Sequence, residues 1–260
     1  MSSLTQEQLN KSLWAAADDM RKSMSADDYK DYLLGLVFFK NLSDEILYEV
    51  VDLVENRKPE SLDEAQRIFE RYYLSEDKDL LEEEIRKKFG CFIKPESTFS
   101  HLAQEVENRT FMLSSLSQIF RDIEQSQGLF YEGLFEDFDI NSKKLGKTAA
   151  EANKLISSVI TQLADIDFHA YGHDALGDAY EYLISKFASE SGKKAGEFYT
   201  PRAVSRLLAR IVTDGQEHKN AFSVYDPTMG SGSLLLQVKN FIVDSPTLNL
   251  TNKIQYFGQE

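Results

Sequence analysis

One stretch constrains this chain more than any other: Val224-Tyr225-Asp226-Pro227-Thr228-Met229-Gly230-Ser231-Gly232-Ser233-Leu234-Leu235-Leu236. A compact aromatic and β-branched run, Phe222 to Tyr225, is ended by Asp-Pro and reads as a short strand. Leu234, Leu235, Leu236 and Val238 read as the start of a helix, with Ser231 or Ser233 as its cap. Between the two, Gly230 and Gly232 let the backbone turn sharply and leave no Cβ between it and a ligand. A strand feeding a helix through a glycine turn is where α/β sheets bind nucleotide-like ligands. The free N–H groups at such a helix start suit polar or anionic ligand atoms.

The turn alone is equally a tight βα connection with no ligand. It is not a phosphate P-loop, because no Gly-Lys-Ser/Thr follows, and the third glycine of Gly-x-Gly-x-x-Gly falls on Leu235. What remains is Asp-Pro-x-x-Gly-Ser-Gly, which resembles the S-adenosylmethionine loop of amino-methylating DNA methyltransferases.

Composition narrows the partners. The net charge of −14 would repel a phosphate backbone, so a protein gripping DNA unaided is not expected here. If the chain works on DNA, another subunit or a further segment supplies most of the grip. The longest apolar run, Leu33 to Phe39, is too short to span a membrane. No basic segment followed by an apolar one opens the chain, so no secretion signal is expected. Cys91 is the one cysteine, which excludes an internal disulfide and fits the cytoplasm. With four scattered histidines and no second cysteine, no metal-site spacing is found.

Upstream, the pattern is helical. Thr5-Gln6-Glu7-Gln8 and Ser61-Leu62-Asp63-Glu64 look like capping boxes. Leu9, Leu13, Trp14, Ala17 and Met20 share one helical face. A broad apolar face runs from Tyr29 through Leu33, Leu36, Val37, Lys40, Ile46, Leu47 and Val50 to Val54, with a break expected at Asn41 to Asp44. A charged amphipathic stretch from Glu64 to Phe89 is expected to be interrupted near Ser75 and ended by Gly90. Further helices are expected near Thr98 to Asn108, Met112 to Gln125, Lys147 to Leu163 and Asp174 to Phe187. Gly128 to Asn141, aromatic and acidic, reads as a packed loop. Thr200 and Pro201 suit the start of a helix over Ala203 to Thr213, with Val204, Leu207, Leu208 and Ile211 inward. Lys253 to Phe257 reads as a second strand.

Two motifs then stand in order: Gly196-Glu197-Phe198-Tyr199-Thr200-Pro201-Arg202, and Asp226-Pro227-Thr228-Met229-Gly230-Ser231-Gly232. The pair resembles the M (modification) subunit of type I restriction–modification systems. Tyr29 to Lys40 and Asp174 to Leu183 are similar to helices of the same family, so the resemblance covers essentially the whole chain. It implies a mainly α N-terminal domain, residues 1–155, followed by the beginning of an α/β Rossmann-like methyltransferase domain, residues 156–260. It implies S-adenosyl-L-methionine as cofactor. Glu197, Phe198, Tyr199, Thr200, Pro201 and Arg202 would form one wall of the pocket. Asp226, Gly230, Ser231, Gly232 and Ser233 would form its floor, around the methionine part. Glu260 would accept hydrogen bonds from the ribose hydroxyls, a demand that an NAD site would share.

The resemblance implies methyl transfer to adenine N6 in DNA, within a complex of specificity subunit, restriction subunit and second methylase subunit. The family's catalytic Asn-Pro-Pro-Phe/Tyr loop has no counterpart among these residues, because Pro246 has no proline neighbour. The chain is therefore expected to be a piece of a longer protein, carrying the cofactor motifs without the catalytic loop and inactive by itself. The alternatives are a catalytically inactive helical module for subunit assembly and an NAD-dependent enzyme. The missing third glycine and the Phe-Tyr-Thr-Pro element weigh against the last.

Overall fold

The computed structural model describes residues 6–126, 131–171, 175–190, 200, 202–216, 222–230, 232–242 and 254–259. Helix follows helix through most of it: α1 (Gln6–Ala16), α2 (Asp18–Arg21), α3 (Ala26–Glu55), α4 (Leu62–Tyr73), α5 (Lys78–Phe89), α6 (Phe99–Glu107), α7 (Leu113–Glu124), α8 (Ala149–Ala164) and α9 (Ala175–Glu190). Short 3-10 turns stand at Pro95–Ser97 and Phe168–Tyr171. Then come α10 (Arg202–Thr213), β1 (Phe222–Asp226), α11 (Ser233–Ile242) and β2 (Ile254–Gly258). The chain divides into two compact units, Met1–Ser191 and Gly192–Glu260. Among the described residues, no helix is long and apolar enough to cross a membrane.

The first unit is built around α3. Its apolar positions recur on so much of the circumference that Tyr29, Leu33, Leu36, Val37, Phe39, Ile46, Leu47, Val50 and Val51 are all buried. The break expected at Asn41 to Asp44 is absent, and the helix runs through it unbroken. The polar residues there turn inward and find partners instead. Ser43 Oγ accepts the backbone N–H of Phe99 at 2.8 Å, closing the start of α6. Lys40, on the apolar face as expected, pairs with Asp44 one turn on, and both side chains are 1% exposed. Burial pushes the Asp44 carboxyl up to about 6, with Lys40 pulling the other way.

Local signals hold around this helix. Ser61 Oγ accepts from Glu64 N, as the capping box requires, while the Glu64 carboxylate takes the N–H of Glu60 at 2.6 Å. The gap between α4 and α5 spans Ser75, and Gly90 ends α5 at φ +75°. A capping box at Thr148 and Glu151, not singled out in the sequence, starts α8. The aromatic segment after Gly128 packs as expected, where described. Phe135 stacks on Phe120 with centroids 3.8 Å apart, and Phe138 meets Phe120 edge-on at 4.9 Å. Gly35 makes room for it, since a Cβ there would sit 3.2 Å from the Phe138 ring.

The first unit runs past residue 155 because α8 and α9 pack back onto α1 and α3. Tyr180 Oη donates to Leu34 O at 2.7 Å, and Tyr29 Oη donates to Glu190 at 2.5 Å. Trp14 receives Tyr182 edge-on and the Arg21 guanidinium over its face at 4.1 Å.

In the second unit β1 and β2 run parallel, in register from Phe222 opposite Ile254 to Asp226 opposite Gly258. In sequence α11 lies between them, and α10 packs against α11. Val224, Phe241 and Ile254 pack against the buried pair Ala209 and Val238. The inward face expected for α10 is wrong. Val204, Leu207, Leu208 and Ile211 are 43% to 61% exposed, whereas Ser205, Ala209 and Thr213 are buried. Those three repeat every fourth residue, and their small side chains let α10 come close to α11.

Lys40→Met should lower the unfolding free energy by about 3–5 kcal/mol, because it leaves the Asp44 charge buried without its partner. Adding Asp44→Leu should recover most of that loss. Urea titration followed by circular dichroism reads both.

Candidate functional site

β1 ends where its sequence says it must. Pro227 has no N–H to continue a ladder. Asp226 is 7% exposed and lies on the strand face that carries Val224. One carboxylate oxygen, Oδ1, accepts the N–H of Thr228 at 3.0 Å, the Asx turn that folds the chain away from the sheet. The other, Oδ2, is buried with no hydrogen-bond partner among the described residues. A buried acceptor left without a donor costs about 1–3 kcal/mol, and more when charged. This oxygen is therefore a strong acceptor waiting for an N–H, O–H or cationic group.

The turn that follows is open. Gly230 and Gly232 have φ of +53° and +73°, in the left-handed region where other residues are strained. A Cβ added at Gly230 would meet nothing within 4 Å among the described residues. Gly232 N donates to Met229 O at 2.9 Å, and Gly232 O accepts the first bond of α11, from Leu236 N at 3.0 Å. The residue before the helix is thus Gly232, with Ser233 as its first residue, so Ser233 does not take the expected cap position, and Ser231 lies outside the described residues. The first amides of α11 have no carbonyl of their own helix to bond.

The end of β2 closes the other side. Gln259 N donates to Asp226 O at 3.0 Å, and Gln259 O accepts from Met229 N at 2.9 Å. One residue after β2 therefore clasps both ends of the Asx turn. Tyr225 Oη adds a 2.7 Å bond to the Gln259 side-chain oxygen.

Of the expected site residues, Asp226, Gly230 and Gly232 come together at this turn, and Ser233 opens α11. Thr200 is half-buried and Arg202 begins α10. Glu197, Phe198, Tyr199, Pro201, Ser231 and Glu260 lie outside the described residues. Two residues not anticipated at the site are Met229 and Gln259. Their signal was a glycine, Gly258, inside the last turn of a strand, which marks close approach of another part of the chain. Among the described residues no three His, Cys, Asp or Glu side chains gather to hold a metal.

Residues 9–163 match the HsdM N-terminal domain family, and residues 171–260 match the N-6 DNA methylase family. The chain is 33% identical to the type I restriction enzyme MpnII methylase subunit of Mycoplasma pneumoniae, over 97% of its own length and 47% of that relative. It is 31% identical to the MjaVIII methylase subunit of Methanocaldococcus jannaschii, over 87% of its length and 35% of that relative. It superposes on a crystal structure of the type I restriction-modification system methyltransferase subunit from Streptococcus thermophilus with a TM-score of 0.89 and 46% identity. That superposition covers 98% of this chain and 52% of the other. The chain thus spans about half or less of the length of these relatives. By sequence α9 falls in the N-6 DNA methylase match, while by packing it belongs to the helical unit.

Asp226→Asn should keep the Asx turn and replace an unpaired buried charge with a neutral amide. Hydrogen exchange at β1 and β2 amides should be no faster in this variant than in the parent. Gly232→Ala, strained at φ +73°, should weaken the same amides by about 1–2 kcal/mol.

Proposed function

The chain belongs to the methylase subunits of type I restriction–modification systems, and we propose that its second unit carries the S-adenosylmethionine half of a DNA adenine-N6 methyltransferase site. The observation that carries this is the buried, unpartnered Asp226 Oδ2 beside two left-handed glycines at the start of α11. The donor set fits the cofactor. A methionine moiety brings an ammonium group for the carboxylate and a carboxylate for the helix amides. The glycine turn leaves the space that such a chain needs.

The roles divide along the sequence. Asp226, Gly230, Ser231, Gly232 and Ser233 hold the methionine part. Glu260 takes the ribose hydroxyls, and Glu197, Phe198, Tyr199, Thr200, Pro201 and Arg202 form the facing wall. When bound, S-adenosylmethionine supplies an electrophilic methyl group. The residues of this chain bind and orient it, and the orientation is what accelerates such a transfer. A duplex adenine reaches a site of this kind only when flipped out of the stack. The amine is received by an Asn-Pro-Pro-Phe/Tyr loop, for which these 260 residues have no adjacent prolines. The chain by itself binds the cofactor and does not methylate.

The parallel β1–α11–β2 unit reads as the opening of a Rossmann-like sheet. By sequence the methyltransferase domain is proposed over residues 156–260 and the helical domain over 1–155, while by packing the helical unit extends to Ser191. The net charge of −14 supports the view that DNA is held mainly by partners: a specificity subunit, a restriction subunit and a second methylase subunit, in the cytoplasm.

Calorimetric titration of the chain should show saturable S-adenosylmethionine binding and none with NAD. Asp226→Asn should weaken it by about tenfold or more, since a charge-assisted hydrogen bond is worth about 1.5–3 kcal/mol. A folded chain that binds neither would overturn the cofactor reading. The intact protein with its specificity partner should methylate adenine N6 at the sites which that partner binds.

A further inference from the structure

Gly258 is the last residue of β2, opposite Asp226. It has no positive φ, so its smallness answers a need for space, not for an unusual backbone. That space is filled by Met229. A Cβ built on Gly258 would overlap Met229 Sδ and stand 3.1 Å from its Cγ and 3.2 Å from its Cβ. On its other flank the same side chain lies 3.8 Å from where a Cβ of Gly232 would be. The thioether therefore sits between two glycines, one in the turn and one at the strand end. Its backbone is held as well, because Met229 N donates to Gln259 O at 2.9 Å.

We propose that Met229 is a spacer that sets the separation between the two halves of the S-adenosylmethionine site. This rests on the reading of that site given above. Gly232 belongs to the half that holds the methionine part. Gly258 stands two residues before Glu260, which takes the ribose. Between them lies one side chain of fixed volume, packed on both and tied to β2 by its own amide. Methionine suits the place: it is unbranched and fills an irregular gap without a polar atom to satisfy. The terminal part of such a side chain can swing aside, but its Cβ cannot leave a backbone bonded to Gln259. An atom added at Gly258 therefore displaces Sδ and presses on Cγ and Cβ at 3.1 and 3.2 Å, a strain that a small shift of the turn from the strand end relieves. A ligand that touches both halves feels this shift, and a ligand that touches the strand end alone does not.

The test compares S-adenosylmethionine with adenosine, by calorimetry on the 260-residue chain, with unfolding midpoints measured in parallel. Gly258→Ala should weaken S-adenosylmethionine by about tenfold or more and adenosine by no more than about threefold, from the usual size of an overpacking strain. Met229→Ala should loosen the spacing, with a smaller loss confined to S-adenosylmethionine, and Met229→Leu should restore most of it. The double variant Gly258→Ala with Met229→Ala should bind S-adenosylmethionine better than Gly258→Ala alone, because Met229 Sδ and Cγ, the two nearest atoms, are gone and only its Cβ remains. The spacer is refuted if Gly258→Ala binds like the parent, if both ligands weaken alike, or if the double variant does not recover. If Gly258→Ala does not fold, the Met229→Ala and Met229→Leu pair decides by the same two-ligand comparison. A parent chain that is folded and binds no S-adenosylmethionine overturns the site itself, and the spacer with it. A parent that binds while the variants disobey overturns the spacer alone.

Discussion

α3, thirty residues and about 45 Å long, buries sixteen of them, Lys40, Ser43 and Asp44 included, so some of its polar side chains lie away from water. Most of the buried polar groups on α3 are met by a neighbour, and these bonds organise the first unit; Asp44 Oδ1 has no hydrogen-bond partner among the described residues. Ser43 takes the first amide of α6. Tyr32 Oη reaches Asp139 O in the aromatic segment at 3.0 Å, and Tyr48 Oη reaches Asp167 at 2.9 Å, just before the 3-10 turn at Phe168. Tyr29 and the carbonyl of Leu34 meet α9. Lys40 and Asp44 answer one another within the helix. Apolar burial gives the unit its cohesion, and these directed bonds fix which neighbour lies at which level of α3.

The second unit depends on a smaller device. Asp226 folds the chain through its side chain, and Gln259 holds the folded turn through its backbone. The two glycines accept conformations that a Cβ would strain. The result is a tight turn in which, among the described residues, one carboxylate oxygen is unsatisfied. A buried acceptor left open costs local stability. The turn and the strand end are joined through Met229 and Gln259, so the geometry of one is transmitted to the other without a separate element between them.

Much of this was legible in the residues. Caps are local chemistry, so Ser61 and Gly90 could be read from their neighbours alone. The strand, turn and helix around Asp226 were equally legible, because proline and glycine restrict the backbone wherever they stand. The failures have a common cause. Asn41 to Asp44 looked like a break because serine and aspartate favour turns when nothing else holds them; distant Phe99 and nearby Lys40 removed that preference. Hydrophobicity alone points the bulkiest residues of α10 inward, whereas close helix packing buries Ser205, Ala209 and Thr213. Gly258 was passed over because the side chain that occupies its missing Cβ lies 29 positions earlier.

The sequence by itself determined the helical character of the first unit, the turn at Asp226 to Ser233, and the family through two short motifs in order. Each of these rests on periodicity or on residues that act within a few positions of themselves. Tertiary structure alone decided that α3 is continuous, that α9 packs with the helical unit, which side of α10 is covered, and that Met229 stands between Gly232 and Gly258. Those outcomes depend on which distant groups arrive to satisfy a polar atom or fill a space, and no local pattern carries that information.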